Sequence, residues 1–175
     1  MDERVVNVEN KRSGLENPEY EALNERALGT NVNPQTLLAT DYLNHFNEVI
    51  MLIGMVPDMP EMLEDVREWQ PKSYQDHFRD SSIADKELAI EAYEFVPDNF
   101  KDPFDKTIQQ LNDLVATTLA RLEMDLDAGN LDLARENAAS FSRTLQRLVD
   151  VAGGIIHGSE SSLMDQTEID ALLSI

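Results

Sequence analysis

Cysteine is absent from this 175-residue sequence, which excludes disulfides, thiolate nucleophiles and cysteine-based zinc sites. Basic residues are scarce. With 14 lysines and arginines against 34 acids, the formal charge is -20, and the field around the chain repels phosphate backbones and anionic lipid. Nucleic acid and membrane surfaces are therefore not expected as partners. No long apolar run occurs, and the chain does not open on a basic stretch followed by an apolar one, so neither a membrane span nor a secretion signal is expected. Together these absences lead us to expect a soluble, cytoplasmic protein of one domain with tails. Strand patterns are almost missing, and no internal repeat is visible.

What is present is helical periodicity. Residues 1–33 are polar, rich in Asn and Glu, with a short helical pattern only at "PEYEALNERAL"; we expect a mobile leader. Asn33 before Pro34 has the form of an N-cap with Pro at the first helical position, and Leu38, Tyr42, Phe46, Val49 and Ile53 follow at helical spacing. "GMVPDMP" ends that pattern. A short helix over "PEMLEDVREW" follows, then an irregular "KSYQDHFRDS", then a helix over "IADKELAIEAYEFV" opened by Ser82 with Asp85 in the manner of a capping box. Asp102 and Pro103 form a second N-cap and first-position pair. From there Phe104, Ile108, Leu111, Val115, Leu119, Leu122 and Leu126 recur at three and four residues. "AGN" turns the chain, and Ala134, Ala138, Phe141, Leu145, Leu148 and Ala152 repeat until "GG" at 153–154. Two long helices joined by so short a turn run antiparallel. The expected fold is all-α: a helical bundle over 34–152, built around a long antiparallel hairpin and closed within one chain or by a second copy, as a homodimer, across the hairpin's apolar face.

After the glycines, 153–163 has linker composition. Residues 164–175, "MDQTEIDALLSI" with the last linker Leu before them, then present Asp165 as an N-cap with Glu168 as its reciprocal partner, and Ile169, Leu172 and Leu173 on one side. A helix this short is marginal in water, so its apolar stripe must find a groove, on a partner or on the parent bundle. Periodicity leaves both open.

The segment "DQTEIDALL" resembles the "EIDALL" peptide of the flagellar switch proteins FliM and FliN/FliY, which docks on the chemotaxis regulator CheY. Lying at the C-terminus behind a linker and a helical region, it is also similar to the acidic terminal helix of the CheZ phosphatases. CheZ-type enzymes share a helical D-x-T-x-Q motif, and "FDKTIQQL" carries Asp105, Thr107 and Gln109 at that spacing. The resemblance implies binding of a phosphorylated CheY-like receiver through Asp165, Glu168, Ile169, Leu172 and Leu173. It further implies that Gln109 orients water toward the receiver's aspartyl phosphate while Asp105 pairs with the receiver's lysine. Mg²⁺ would sit on the receiver, and this chain would have no cofactor of its own. The family motif lies well inside a long helix, whereas Pro103 places Asp105 near a helix start. The plain alternative for Asp105 is a surface carboxylate that complements the helix dipole.

Other constellations are weaker. Asp41, His45 and Glu48 share a helical face, with His77 and His157 elsewhere, but the Glu-x-x-His pairs of di-metal bundles are missing and no resident metal is expected. The methionines suit irregular core gaps. The functional alternatives to a phosphatase are a non-catalytic CheY-binding or motor-associated adaptor and a flagellar chaperone.

Overall fold

The computed structural model describes residues 17–159 and 166–173 and is all-helical among them. Eight α-helices occur: α1 Pro18–Ala27, α2 Asn44–Met55, α3 Met62–Glu68, α4 Tyr74–Arg79, α5 Lys86–Tyr93, α6 Asp98–Asp127, α7 Leu131–Ile156 and α8 Gln166–Leu173. One 3-10 turn, Thr40–Leu43, precedes α2. The chain divides into two compact units. The described residues of the first are 17–42, 72–105 and 153–159, and those of the second are 43–71, 106–152 and 166–173.

In the first unit the boundary expected at residue 33 is corrected. Residues 1–16 lie outside the described residues, but Asn17 accepts a hydrogen bond from the Glu19 amide at 3.0 Å and Pro18 opens α1. Leu23 and Ala27 are buried. Asn24 donates to the Pro34 carbonyl at 2.6 Å and Tyr20 to that of Gln35 at 2.7 Å, which fastens the helix to the loop after it. A polar segment has thus been built into the fold by a few apolar anchors and side-chain to backbone bonds.

Asn33 does cap, but only one turn. Its side chain accepts from the amides of Gln35 and Thr36 at 2.9 and 3.1 Å, after which Leu37 adopts φ +60° and Val32 pairs with Ala39 in an isolated bridge. The physical reason is burial. Thr36, Leu37, Leu38 and Ala39 are all fully buried, and four consecutive residues cannot share one helical stripe. The long helix expected from Pro34 therefore begins at Asn44 instead, although the expected stripe of Leu38, Tyr42, Phe46, Val49 and Ile53 is buried throughout.

Two further starts differ. "YQDHFR" is helical, because Ser73 caps the Asp76 amide at 3.1 Å and Tyr74 and Phe78 drop into the core. Ser82 does not cap α5; the position before Lys86 is Asp85 at φ +62°, with no side-chain cap. Aromatic rings tie this unit together. Tyr74 stacks on Tyr93 with centroids 4.8 Å apart and meets Phe104 edge-on at 6.0 Å, while Tyr42 lies 5.3 Å from Tyr74. Burial raises the phenol pKa values of Tyr42 and Tyr74, so both stay neutral; their hydroxyls donate to the Lys72 carbonyl and, for Tyr74, accept from the Ala39 amide.

His77 stands edge-on to Tyr42 at 5.5 Å. Its pKa is lowered, first by burial and then by repulsion from Lys72, which outweigh the pull of Asp41 and Asp80. The unfolded chain therefore binds a proton below about pH 6.5 that the folded chain resists. Stability is full above that pH and declines as pH falls toward the folded value. We expect the urea midpoint to fall between pH 6.5 and 5, and the fall to be shallower in His77→Gln; parallel pH profiles for the two chains would remove His77 as the cause. The carboxylates of Asp76 and Glu91, held low by hydrogen bonds from Arg79 and Arg26, contribute at more acid pH.

Helix α7 also departs from expectation. It runs through Gly153 and Gly154 to Ile156, burying Ile155 and Ile156. The Ser159 amide then bonds the Gly154 carbonyl and the Gly158 amide that of Ile155, both at 2.9 Å, with Gly158 at φ +93°. This is a Schellman ending. Thr36 satisfies the Ile156 carbonyl at 2.6 Å. Two buried isoleucines and a good cap outweigh the helix-breaking tendency of the glycines, so residues 153–158, expected as linker, belong to the helix and its cap, and 160–163 of that expectation lie outside the described residues.

In the second unit, α6 ends at Asp127, Gly129 turns at φ +68°, and Asn130 caps α7 by accepting from the Leu133 amide at 3.1 Å. Asn137 reaches the buried Asp125 carboxylate at 2.6 Å, which joins the last turn of α6 to the second turn of α7. Leu111, Val115 and Leu122 of α6 and Ala134, Ala138, Phe141, Leu145 and Leu148 of α7 are buried at the expected spacing. No helix among the described residues is long and apolar enough to cross a membrane.

Candidate functional site

The start of α6 determines where the D-x-T-x-Q residues fall. The helix begins at Asp98, with the amides of Phe100 and Lys101 both bonded to the Pro97 carbonyl at 2.9 Å. Pro103 is thus inside the helix, not at its first position, and Asp105 is its eighth residue. Asp105 therefore does not serve the N-terminal dipole; Asp98 holds that place.

Asp105 belongs to the first unit, where its environment is well defined. One carboxylate oxygen accepts from the Tyr93 hydroxyl at 2.8 Å and the other from Lys101 Nζ at 2.7 Å. Lys101 is also 3.1 Å from the Tyr93 oxygen and 4.3 Å from the ring centroid. Burial works against the Lys101 charge, but the bonds to Asp105 and Tyr93 outweigh it and hold the ammonium pKa above its usual range. Burial raises the Tyr93 phenol. The carboxylate is half-exposed and already paired with a cation from its own helix. Gln109 belongs to the second unit and is exposed on α6, while Thr107 between them is fully buried and helps set the helix face. Both functional candidates point away from the core.

The tail residues separate differently. Asp165 lies outside the described residues. Helix α8 carries Glu168 in its first turn and is exposed there; Ile169 is only 2 % exposed, Leu172 is 40 % exposed, and Leu173 is half-buried. Ile169, Leu172 and Leu173 all lie within α8, and the first of them is covered by the chain itself. Leu172 lines a cleft of about 290 Å³ with Ser140, Arg143, Thr144, Gln146 and Arg147 of α7. Thr144 is buried and donates to the Ser140 carbonyl at 3.1 Å, and Gln146 donates to Asp150 at 3.1 Å.

The two arginines were not anticipated. Arg143 and Arg147 are exposed and have no salt-bridge partner among the described residues, in a chain of net charge -20. Their only sequence signal is an i, i+4 spacing beside the apolar stripe in "FSRTLQRL".

The histidine constellation is occupied by structural bonds. His45 Nε2 donates to the Gln70 carbonyl at 2.8 Å, its ring stacks on Trp69 at 4.6 Å, and Trp69 Nε1 donates to the His45 carbonyl. Asp41 accepts from Asn31 at 2.7 Å. Among the described residues no group of three His, Asp or Glu side chains is placed to hold a metal ion. Comparison with known proteins found no matching family model, no matching curated protein and no matching solved structure.

Proposed function

We propose that this chain is a cytoplasmic chemotaxis or motility signalling protein that binds a phosphorylated CheY-like receiver through α8 and promotes loss of its aspartyl phosphate. The observation that carries the reading is the helix formed by "QTEIDALL", which exposes Leu172 in its last turn and shares its "EIDALL" core with receiver-binding peptides. Recognition of this kind lays a short apolar stripe into a groove, with Glu168 and Asp170 supplying charge at its rim. Tethering by the tail raises the receiver's local concentration at the rest of the chain, so a weak second contact suffices.

In the hydrolytic step a water oxygen attacks phosphorus, the bond from phosphorus to the receiver's carboxylate oxygen breaks, and inorganic phosphate leaves with the carboxylate restored. Gln109 is exposed and can orient that water without acting as a base. Mg²⁺ on the receiver would carry the phosphate charge. Asp105 would exchange Lys101 for the receiver's lysine, a swap of one ion pair for another. A hairpin of α6 and α7, closed in one chain or paired across two copies, would carry these groups on α6.

One observation favours a second, non-catalytic reading: Asp105 is already paired with Lys101 and hydrogen-bonded by the Tyr93 hydroxyl. As an adaptor the chain would use the same tail and leave the phosphate alone. The two are separated by following acyl phosphate on the receiver. With the intact chain we expect faster loss, and with Gln109→Ala a reduction of roughly a hundredfold, the scale of removing one positioned polar group. A phosphate lifetime unchanged by the intact chain would leave the adaptor.

A further inference from the structure

We propose that the apolar face of α8 has two mutually exclusive seats, one on its own chain beside α7 and one on the receiver, so that release from α7 governs access to the recognition segment. This rests on the binding reading above. Ile169, Leu172 and Leu173 stand three and four residues apart and form one face. A single face cannot be buried twice. Ile169, the first residue of that face, is 2 % exposed with no partner bound, so part of the surface a receiver would need is already covered.

The seat is incomplete. Leu172 remains 40 % exposed at a cleft whose other walls come from α7, and an element with so little burial opens at low cost. Charge complements the apolar contact. Arg143 and Arg147 border the cleft without a salt-bridge partner among the described residues, and α8, whose Leu172 lines the same cleft, carries the acidic side chains Glu168 and Asp170. An eight-residue helix is marginal in water, so the seat also supports its helicity. Apparent affinity for the receiver is then lowered by the fraction of chains whose tail is seated.

The test uses the full chain with Arg143→Gln/Arg147→Gln and Arg143→Glu/Arg147→Glu. Two quantities are measured: hydrogen exchange of the 166–173 amides without receiver, and the receiver Kd. Both arginines are exposed, so the fold is retained, and protection of α6 amides verifies this. We expect exchange to accelerate from the unaltered chain to the Gln pair to the Glu pair, and the receiver Kd to fall in the same order, by about tenfold in the Glu pair. Unprotected 166–173 amides in the unaltered chain, or a Kd that stays constant while exchange accelerates, overturns the two-seat proposal alone. Absence of receiver binding by all three chains overturns the binding reading and takes the competition with it.

Discussion

A chain ending at Gly158 is expected to bind the receiver at least about thirtyfold more weakly than the full chain, because the deletion removes the whole apolar stripe. Buried aliphatic and aromatic anchors dominate such interfaces, and each is worth about 2 kcal/mol when truncated. Three anchors would suggest a larger loss, but ordering a short helix offsets part of it. The cut falls within the Schellman ending of α7: the Ser159 amide bond to Gly154 is lost and the Gly158 amide bond to Ile155 stays. Leu172→Ala is the finer probe. Its side chain is 40 % exposed in the free chain, so the substitution leaves the fold alone, and we expect roughly a tenfold rise in receiver Kd. Calorimetric titration of both variants decides the matter. Unchanged affinity after removal of 159–175 would place the receiver contact elsewhere or nowhere.

The second large effect concerns stability. Phe104 is 1 % exposed, with Tyr42 and Tyr74 rings at 6.1 and 6.0 Å. Phe104→Ala removes the transfer energy of the ring and leaves a cavity between two tyrosines that are themselves held by backbone hydrogen bonds, so the site collapses poorly. A loss of about 3–5 kcal/mol is expected. Phe104→Leu, which refills most of the volume, should cost less than about 2 kcal/mol. Urea unfolding followed by far-ultraviolet circular dichroism measures both; similar midpoints for the two variants would show that the ring cluster contributes little. Phe104 immediately precedes Asp105, so Phe104→Ala is also expected to disturb the Lys101–Tyr93–Asp105 group.

Where apolar periodicity persisted over several turns, the pattern read from the sequence matches burial in α7 at Ala134, Ala138, Phe141, Leu145, Leu148 and Ala152, and in α6 at Phe104, Leu111, Val115 and Leu122, while Ile108, Leu119 and Leu126 are only partly buried. It failed where a local interaction competed with it. Asn33 and Pro34 present a valid cap, yet four consecutive buried residues at 36–39 ended the helix after a turn. Asp102 and Pro103 present another, but the Pro97 carbonyl had already opened α6 one turn earlier. Gly153 and Gly154 looked like a stop until Ile155 and Ile156 found burial beyond them. Helix α4 is six residues long, too short for any period to register. Of the candidate site, the helix at 166–173 was legible because a short amphipathic helix shows its face in its spacing. The pairing of Asp105 with Tyr93 was not, since it joins residues of different helices through side chains alone.

The ending of α7 has a mechanical consequence. Thr36 grips the Ile156 carbonyl and Gly158 closes the last turn, so the chain leaves this helix from a clamped post. A partner pulling on the tail would load that clamp in tension before any turn of α7 could unwind, and Thr36, far upstream in sequence, would bear part of the force.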